Sequence, residues 1–299
     1  MKKERIVGKY TSGNEGPLLI VTAAVHGNEP SGVQALEAVF KTLNREQPTI
    51  KGTFVGIIGN LKALNEKVRY INEDLNRAWT INKLTFEDLQ SHEISEMFEV
   101  VKILEQLQEQ SWTQKYFIDC HTTSSASLPF MSVQDIGGNL SWAEQFPINK
   151  ILGFSDMVKG TFDGYMTARG ITGFVVEAGQ HESLKSNIYH EGMIWLGLEK
   201  ACRLNFEDLH EKPEAVTETL NVTQNQKTFK IITRFGLKPD DDFKMVPGFE
   251  NFQPIKQSEL LAIVNGKEVR STCDAYIFMP LYQSKGNDGF FVIDSIKIV

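Results

Sequence analysis

From the start of the chain to about residue 205, short apolar runs alternate with longer segments of helical periodicity. The apolar runs contain few polar residues, which is typical of strands buried on both faces of a sheet. They cover residues 18–25, 53–59, 116–119 and 171–177. Helical patterns cover residues 30–43, 91–110 and 189–205. This alternation predicts an α/β fold, with a mixed, largely parallel sheet and helices on both of its faces.

The pattern changes after the charged, proline-containing segment 207–218. Short runs in which apolar and polar residues alternate follow at residues 228–233, 260–264 and 290–293. Such runs are typical of half-buried strands, so we expect a smaller, β-rich C-terminal domain. We place the boundary near residue 210, with a larger domain at 1–210 and the β-rich domain at 211–299.

Charge and cysteine content limit the partners and the location of the chain. The formal net charge is −7 and the basic residues are scattered, so we expect no binding to nucleic acid. The apolar runs are shorter than the ~20 residues that span a bilayer, and we expect no signal peptide or membrane anchor. Cys120, Cys202 and Cys273 are odd in number and far apart, which favours a reducing cytoplasm over a disulfide framework. The sequence does not decide whether the chain forms a homo-oligomer.

The turn after the run 18–25 carries the first chemically informative residues, His26-Gly27-Asn28-Glu29-Pro30. Ligands of open α/β sheets bind beyond the carboxyl ends of the strands, where His26 and Glu29 could aim at one point. Gly27 permits the turn. A surface turn with an incidental histidine explains this segment, taken alone, equally well.

The run 116–119 is followed by a second histidine, in Asp119-Cys120-His121. A hydrolytic zinc site has three protein ligands and leaves the fourth position to water. His26, Glu29 and His121 supply such a set. Asp119 shares a strand face with His121 and could hydrogen-bond its imidazole, although a cap or loop contact is an alternative. Cys120 faces the other way and is interpreted as a buried apolar side chain.

The run 171–177 ends in a single carboxylate, Glu177. Packing does not explain an acid at the end of an apolar strand. One glutamate near a metal can take the proton of the attacking water and return it to the leaving nitrogen, and we predict that role for Glu177. A structural cap is the alternative. His181 follows closely and is interpreted as a loop hydrogen-bonder.

Segment 69–77, RYINEDLNR, concentrates two arginines in an acidic protein. Guanidinium groups bind carboxylates bidentately, so Arg69, Asn76 and Arg77 are predicted to form an anion pocket. Asp74 could hold an arginine in place. Ordinary surface salt bridges are the alternative.

Four motifs taken together, HGNE at 26–29, RYINEDLNR at 69–77, DCHTT at 119–123 and VVEAG at 175–179, resemble the aspartoacylase and succinylglutamate desuccinylase family. This family is related to the zinc carboxypeptidases. The resemblance implies a zinc-carboxypeptidase-like fold. It also implies one zinc per chain, bound by His26, Glu29 and His121, with Glu177 promoting the attack of water.

The resemblance implies further roles around the substrate. Arg69, Asn76 and Arg77 would bind its carboxylates, and Arg77 is the candidate that stabilises the oxyanion. Arg169 would correspond to another substrate-binding arginine, although its distance to Glu177 departs from the family pattern. A C-terminal tyrosine is also implied.

Tyr282 is the best match for this tyrosine, with Tyr276 as the alternative. The expected function is zinc-dependent hydrolysis of the amide bond of a small anionic N-acyl amino acid. A zinc carboxypeptidase acting on peptides, a deacylase of an uncommon amide and a non-catalytic metal- or ligand-binding protein are the alternatives. The complete set of three ligands with Glu177 argues against the last, since a binding protein needs no proton shuttle.

Overall fold

The computed structural model describes residues 4–85, 91–222, 225–283 and 286–296. The strands within these residues are β1 (Ile6–Thr11), β2 (Leu18–Ala23), β3 (Thr53–Ile58), β4 (Lys115–Thr123), β5 (Phe130–Val133), β6 (Asn149–Leu152), β7 (Thr172–Gln180), β8 (Thr228–Gly236), β9 (Phe243–Met245), β10 (Pro254–Ile255), β11 (Leu260–Val264), β12 (Lys267–Arg270), β13 (Ala275–Phe278) and β14 (Asp288–Ile296). The helices are α1 (Ser31–Glu46), α2 (Leu61–Glu66), α3 (Ile81–Thr85), α4 (His92–Gln108), α5 (Asn139–Ala143), α6 (Phe154–Met157), α7 (Phe162–Ala168), α8 (Leu184–Cys202) and α9 (Glu214–Asn221). Short 3-10 turns cover Leu75–Arg77 and Phe206–Asp208. Across these described ranges, no helix has the length and apolarity that a bilayer crossing requires.

Eleven of the described strands form one mixed sheet, in the order β1-β3-β2-β4-β7-β5-β6-β8-β14-β13-β10. The strands β3, β2, β4 and β7 are parallel to one another, and so are β5, β6 and β8. The two groups meet in the antiparallel pair β5 and β7, and the strands at both edges are antiparallel. This topology confirms the predicted α/β class.

Strand β2 explains why the apolar runs lack polar residues. Leu19 and Val21 belong to a core formed with α1 and α8, whereas Leu18 and Ile20 belong to a second core formed with α4 and α7. Helices therefore cover both faces of the sheet, as predicted, and every residue of β2 is buried.

The C-terminal region is rich in β-strands, as expected, but most of it extends the main sheet. Strands β8, β10, β13 and β14 join that sheet, and β9, β11 and β12 form a separate antiparallel sheet. A strand's own apolar pattern does not identify its neighbours, so the sequence could not reveal this continuity. The domain division near residue 210 stays a prediction.

Helix α9 begins shortly after the predicted boundary and packs on α8. A Cβ atom at Gly192 would lie 2.4 Å from the carbonyl oxygen of Ala215, so glycine permits this close approach. The charged segment 207–218 thus includes the start of a helix that packs on α8, rather than an open linker.

Candidate metal centre and pocket

The sequence-predicted metal ligands meet at one edge of the sheet. His26 and Glu29 follow β2, and His121 lies near the carboxyl end of β4, the parallel neighbour of β2. Glu177 on β7 is paired in register with His121. The carboxyl ends of parallel strands lie at the same edge, so segments far apart in sequence converge there on one pocket.

The turn that carries His26 is held by close backbone contacts. The amide of Gly27 donates to the carbonyl of Arg69 at 3.1 Å, which joins this turn to segment 69–77. A Cβ atom at Gly27 would lie 2.1 Å from the backbone of Ala63 in α2. The left-handed residue of the turn is Ala24, with φ of 53°. Gly27 is therefore required for close packing, rather than for the turn conformation that the sequence suggested.

Both histidines direct Nδ1 towards the carboxylate of Glu29. Nδ1 of His26 lies 2.9 Å from Oε1, and Nδ1 of His121 lies 3.3 Å from Oε2. One ligand atom from each of these buried residues lies within 4.8 Å of the others. Two imidazole nitrogens and one carboxylate oxygen are a donor set that zinc prefers, so the three residues fit a zinc ion.

The second ring nitrogen of each histidine is held by an aspartate. Nε2 of His26 lies 3.0 Å from Asp74, and Nε2 of His121 lies 3.0 Å from Asp119. A proton on Nε2 leaves the lone pair of Nδ1 for a metal, and a carboxylate partner makes the imidazole more basic. The hydrogen bond predicted between Asp119 and His121 is present. The contact of Asp74 with His26 was not predicted.

Strong charge interactions mark this centre. Burial alone would lower the pKa of His121, but Asp119 and Glu29 hold that pKa well above its usual value. Burial alone would raise the pKa of Glu29, but His26 and His121 hold it well below its usual value. The buried carboxylate and the imidazoles of this centre thus attract one another strongly.

Glu177 is the second buried carboxylate of the pocket. Its Oε2 atom has no hydrogen-bond partner among the described residues. Burial raises the pKa of Glu177 to about 8, while the neighbouring His121 acts in the opposite direction. A carboxyl group with a perturbed pKa and a free oxygen in a pocket is suited to proton transfer.

Arg69 lies against the metal ligands. Its Nη2 donates to Asp74 at 3.1 Å, and its Nη1 lies 3.6 Å from Oε1 of Glu29. The predicted support of an arginine by Asp74 is thus present. The guanidinium of Arg69 thus lies beside the carboxylate of Glu29, one of the candidate metal ligands.

Arg77 and Asn76 also line the pocket, as the predicted anion pocket requires. Nη2 of Arg77 donates to Asp288 at 3.2 Å, on the far strand β14. The side-chain oxygen of Asn76 accepts from the amide of Phe162 at 2.9 Å, which fixes the start of α7 against this segment. The contact with Asp288 was not predicted, because its strand comes from the other end of the chain.

Arg169 does not line the pocket among the described residues. Its guanidinium stacks on the ring of Tyr165, 3.7 Å from the ring centre. Arg169 precedes the amino end of β7, whereas Glu177 lies nearer the carboxyl end of that strand. The structure therefore does not bring it to the metal ligands.

Tyr282 is also absent from the described pocket lining, although its neighbours Leu281 and Gln283 belong to it. Its hydroxyl donates to the carbonyl of Val246 at 2.7 Å and accepts from the amide of Phe249 at 2.9 Å. Both contacts hold a C-terminal loop. The alternative, Tyr276, likewise does not line the pocket in the described residues, and packs on Phe229 instead.

Glu93 on α4 positions the arginine segment, and the sequence did not reveal it. Its Oε1 accepts from the amide of Ile71 at 2.7 Å and from the side chain of Asn60 at 3.1 Å. Its Oε2 accepts from the amides of Asn72 at 3.0 Å and Glu73 at 3.3 Å. Burial would raise the pKa of Glu93, but these donors hold it below its usual value. No local pattern identifies an acid that binds three successive amides of a distant loop.

His181 forms loop hydrogen bonds, as interpreted from the sequence, and it also lines the pocket. Nδ1 lies 2.7 Å from the hydroxyl of Thr122, and Nε2 lies 3.3 Å from the side-chain oxygen of Gln283. Burial lowers the pKa of His181. A neutral imidazole thus connects the end of β4 to the C-terminal loop.

Residues 15–193 match the model of the succinylglutamate desuccinylase/aspartoacylase catalytic domain. This match covers more than half of the chain. The chain belongs to this family. The resemblance inferred from the four motifs is thereby confirmed.

Curated succinylglutamate desuccinylases match part of this chain in sequence. The protein of Photorhabdus laumondii is 31% identical over 77 residues, which are 26% of this chain and 23% of the relative. The protein of Shewanella frigidimarina is 30% identical over 71 residues, 24% of this chain and 21% of the relative. The aligned segments thus span about a quarter of the length of these relatives or less.

Solved structures share the fold over nearly the whole length of this chain. Succinylglutamate desuccinylase from Vibrio parahaemolyticus has a TM-score of 0.69 at 15% identity, covering 96% of this chain and 84% of its own. The ectoine utilization protein EutE (DoeB) from Ruegeria pomeroyi has a TM-score of 0.70 at 16% identity, covering 97% and 88%. Murine aminoacylase 3 has a TM-score of 0.62 at 16% identity, covering 95% and 97%. At these identities, the similarity establishes the shared fold.

Proposed function

We propose that this family member is a zinc-dependent amidohydrolase that cleaves the amide bond of small anionic N-acyl amino acids. One observation carries the proposal: two histidines direct Nδ1 to one carboxylate, and an unpartnered buried glutamate lies beside them. A site that only bound a metal would not need that glutamate. Relatives named succinylglutamate desuccinylase and aminoacylase support acylated amino acids as the substrate class.

His26, Glu29 and His121 would hold one zinc ion, which supplies Lewis-acid chemistry that polarises the acyl carbonyl and acidifies water. Glu177 takes a proton from the attacking water through its unpartnered Oε2. It then returns this proton to the nitrogen of the departing amine. The products are a carboxylic acid and a free amino acid.

The two arginines have different roles in this proposal. Arg69 lies 3.6 Å from Glu29, so its guanidinium is the better candidate for stabilising negative charge on the acyl oxygen. The sequence had favoured Arg77 for that role. Arg77, with Asn76 beside it, is instead assigned to the substrate carboxylate, because its guanidinium contacts Asp288 rather than Glu29.

We also propose a cytoplasmic location. The three cysteines are free, and burial raises the pKa of Cys120, consistent with an inert, buried thiol. Proteins that retain unpaired cysteines are typical of reducing compartments.

Amine release from a substrate panel tests the proposed function. The panel contains N-acetylaspartate, N-succinylglutamate, N-acetyl neutral amino acids and blocked dipeptides, each assayed with zinc and with chelator. Chelator-sensitive cleavage of N-acyl amino acids supports the proposal. Cleavage confined to the C-terminal residue of peptides would indicate a carboxypeptidase. Protein that contains zinc but cleaves no member would contradict hydrolysis of this class.

A further inference from the structure

The pocket contains acidic side chains that the mechanism does not use. Asp288, at the start of β14, binds Arg77 through Oδ2 at 3.2 Å and Arg234 through Oδ1 at 2.5 Å. Asp163, in the first turn of α7, is buried and accepts from the side chain of Gln134 at 2.6 Å. Both aspartates line the same pocket as Glu177.

The cations of the pocket already have anionic partners. Among the described lining residues, the lysines and arginines are Arg69 and Arg77 alone. Arg69 is paired with Asp74, and Arg77 is paired with Asp288. A second carboxylate on a substrate would find no unmatched cation in this part of the lining, and it would be repelled by Asp288.

Arg77 has enough free N–H donors to bind one substrate carboxylate. A guanidinium has five N–H donors. In the structure, one Nη1 donor binds the carbonyl of Asn76 at 2.8 Å and one Nη2 donor binds Asp288. The remaining donors suffice for a single bidentate contact.

One part of the pocket wall is apolar, while other parts carry hydroxyl, amide and imidazole side chains. The apolar part consists of aromatic and aliphatic side chains: Phe130, Phe154, Phe278, Phe291, Met279 and Leu281. The rings of Phe130 and Phe278 lie 4.9 Å apart, and those of Phe154 and Phe291 lie 5.3 Å apart. Such a surface binds apolar groups by excluding water and offers no hydrogen bond to a charged group.

From this arrangement, and resting on the proposed function, we infer that Asp288 determines substrate specificity. The preferred substrates are N-acyl amino acids with one carboxylate and an apolar side chain. Arg77 binds the single carboxylate, the phenylalanine wall binds the side chain, and the charge of Asp288 excludes a second carboxylate.

Substrates that differ only in charge test this inference. With the acetyl group held constant, N-acetylasparagine and N-acetylaspartate differ by one negative charge, and N-acetylleucine adds an apolar side chain of similar size. We expect kcat/KM to be at least about tenfold higher for the asparagine than for the aspartate derivative, and higher again for the leucine derivative. A preference of the wild type for the dicarboxylic substrate would overturn the inference.

The variant Asp288→Asn removes the charge and retains the shape. Its preference should shift towards N-acetylaspartate by about tenfold, and Asp163→Asn should cause a smaller shift in the same direction. Asp294→Asn removes a carboxylate from an exposed position of the same strand, outside the described pocket lining, and is the matched control, whose preference should remain that of the wild type. An unchanged preference in Asp288→Asn would contradict the inference.

Binding separates this inference from the proposed function. Calorimetry on zinc-loaded Glu177→Gln measures the affinities of the same three ligands without turnover. Tighter binding of N-acetylleucine than of N-acetylaspartate supports the role of Asp288, even if the wild type cleaves none of them. Equal binding, or tighter binding of N-acetylaspartate, would contradict it, even if the wild type is an active deacylase.

Discussion

Nε2 of His26 lies 3.0 Å from the carboxylate of Asp74, which belongs to the same segment as the two pocket arginines. Asp74 also accepts from Arg69 at 3.1 Å. The pKa of Asp74 is held well below its usual value by His26 and Arg69, although burial alone would raise it. One carboxylate thus orients both a proposed metal ligand and the arginine proposed to stabilise the oxyanion.

The variant Asp74→Asn should bind zinc about 10- to 100-fold more weakly than the wild type. The amide retains the shape of the carboxylate but loses the charge that makes the imidazole of His26 more basic. Competition with a chromophoric chelator measures the affinity. Asp163→Asn, a buried aspartate of the same pocket that contacts none of the three ligands, is the control and should bind zinc normally. Equal affinities in both variants would show that Asp74 does not support the metal.

The variant Glu93→Gln tests the support of the arginine segment. Its amide nitrogen would face backbone donors that now bind a carboxylate oxygen, so we expect a loss of about 1–3 kcal/mol in the free energy of unfolding. Zinc content should stay normal, while kcat/KM should fall on the order of 10- to 100-fold because Arg69 and Arg77 are misplaced.

Denaturant titration, metal analysis and steady-state kinetics measure these three quantities. Glu99→Gln is the matched control, because Glu99 lies on the same helix, is exposed and, among the described residues, pairs with Arg5 away from the arginine segment. The control should resemble the wild type. A Glu93→Gln variant with unchanged kcat/KM would contradict a positioning role.

The meeting of the proposed site residues could be predicted because most of them lie shortly after an apolar run or at its end. His26, His121 and Glu177 are found by this rule, and the parallel order of their strands then brings them together. Asp288 and Glu93 could not be found in this way. Their partners lie in distant segments, and only the three-dimensional structure brings an acid of β14 or α4 to the arginine segment.

The same limit explains the two weaker site assignments. Tyr282 was selected by its place in the C-terminal sequence, but the direction of a loop side chain follows from tertiary contacts, here with Val246 and Phe249. Arg169 was selected by its approximate distance from Glu177 in sequence. The intervening strand carries it away from the metal ligands and onto Tyr165.

The buried side chain of His190 should make the stability of the protein depend on pH. This side chain of α8 is fully buried beside the hydroxyl of Ser31, at 3.1 Å, and burial lowers its pKa to about 4. Its usual pKa is about 6.5, so the unfolded chain takes up a proton at a higher pH than the folded protein. The stabilisation is therefore complete above pH ~6.5 and is lost as the pH falls towards 4, by about 3 kcal/mol in total.

Comparison with His190→Asn isolates this contribution. Both proteins are unfolded with denaturant between about pH 7 and pH 4 in the presence of chelator, so that metal release does not contribute. The wild type should lose about 3 kcal/mol more stability than the variant over this range. Parallel pH profiles for the two proteins would contradict the assignment to His190.

The central claim is that Glu177 transfers the proton in a zinc-dependent hydrolysis, and the variant Glu177→Gln tests it most directly. Turnover is measured on the best N-acyl amino acid of the panel, with the zinc content determined for the same samples. The account predicts that the variant binds zinc like the wild type and that kcat falls about 10²- to 10⁴-fold. A zinc-loaded variant with near-normal kcat would contradict the account.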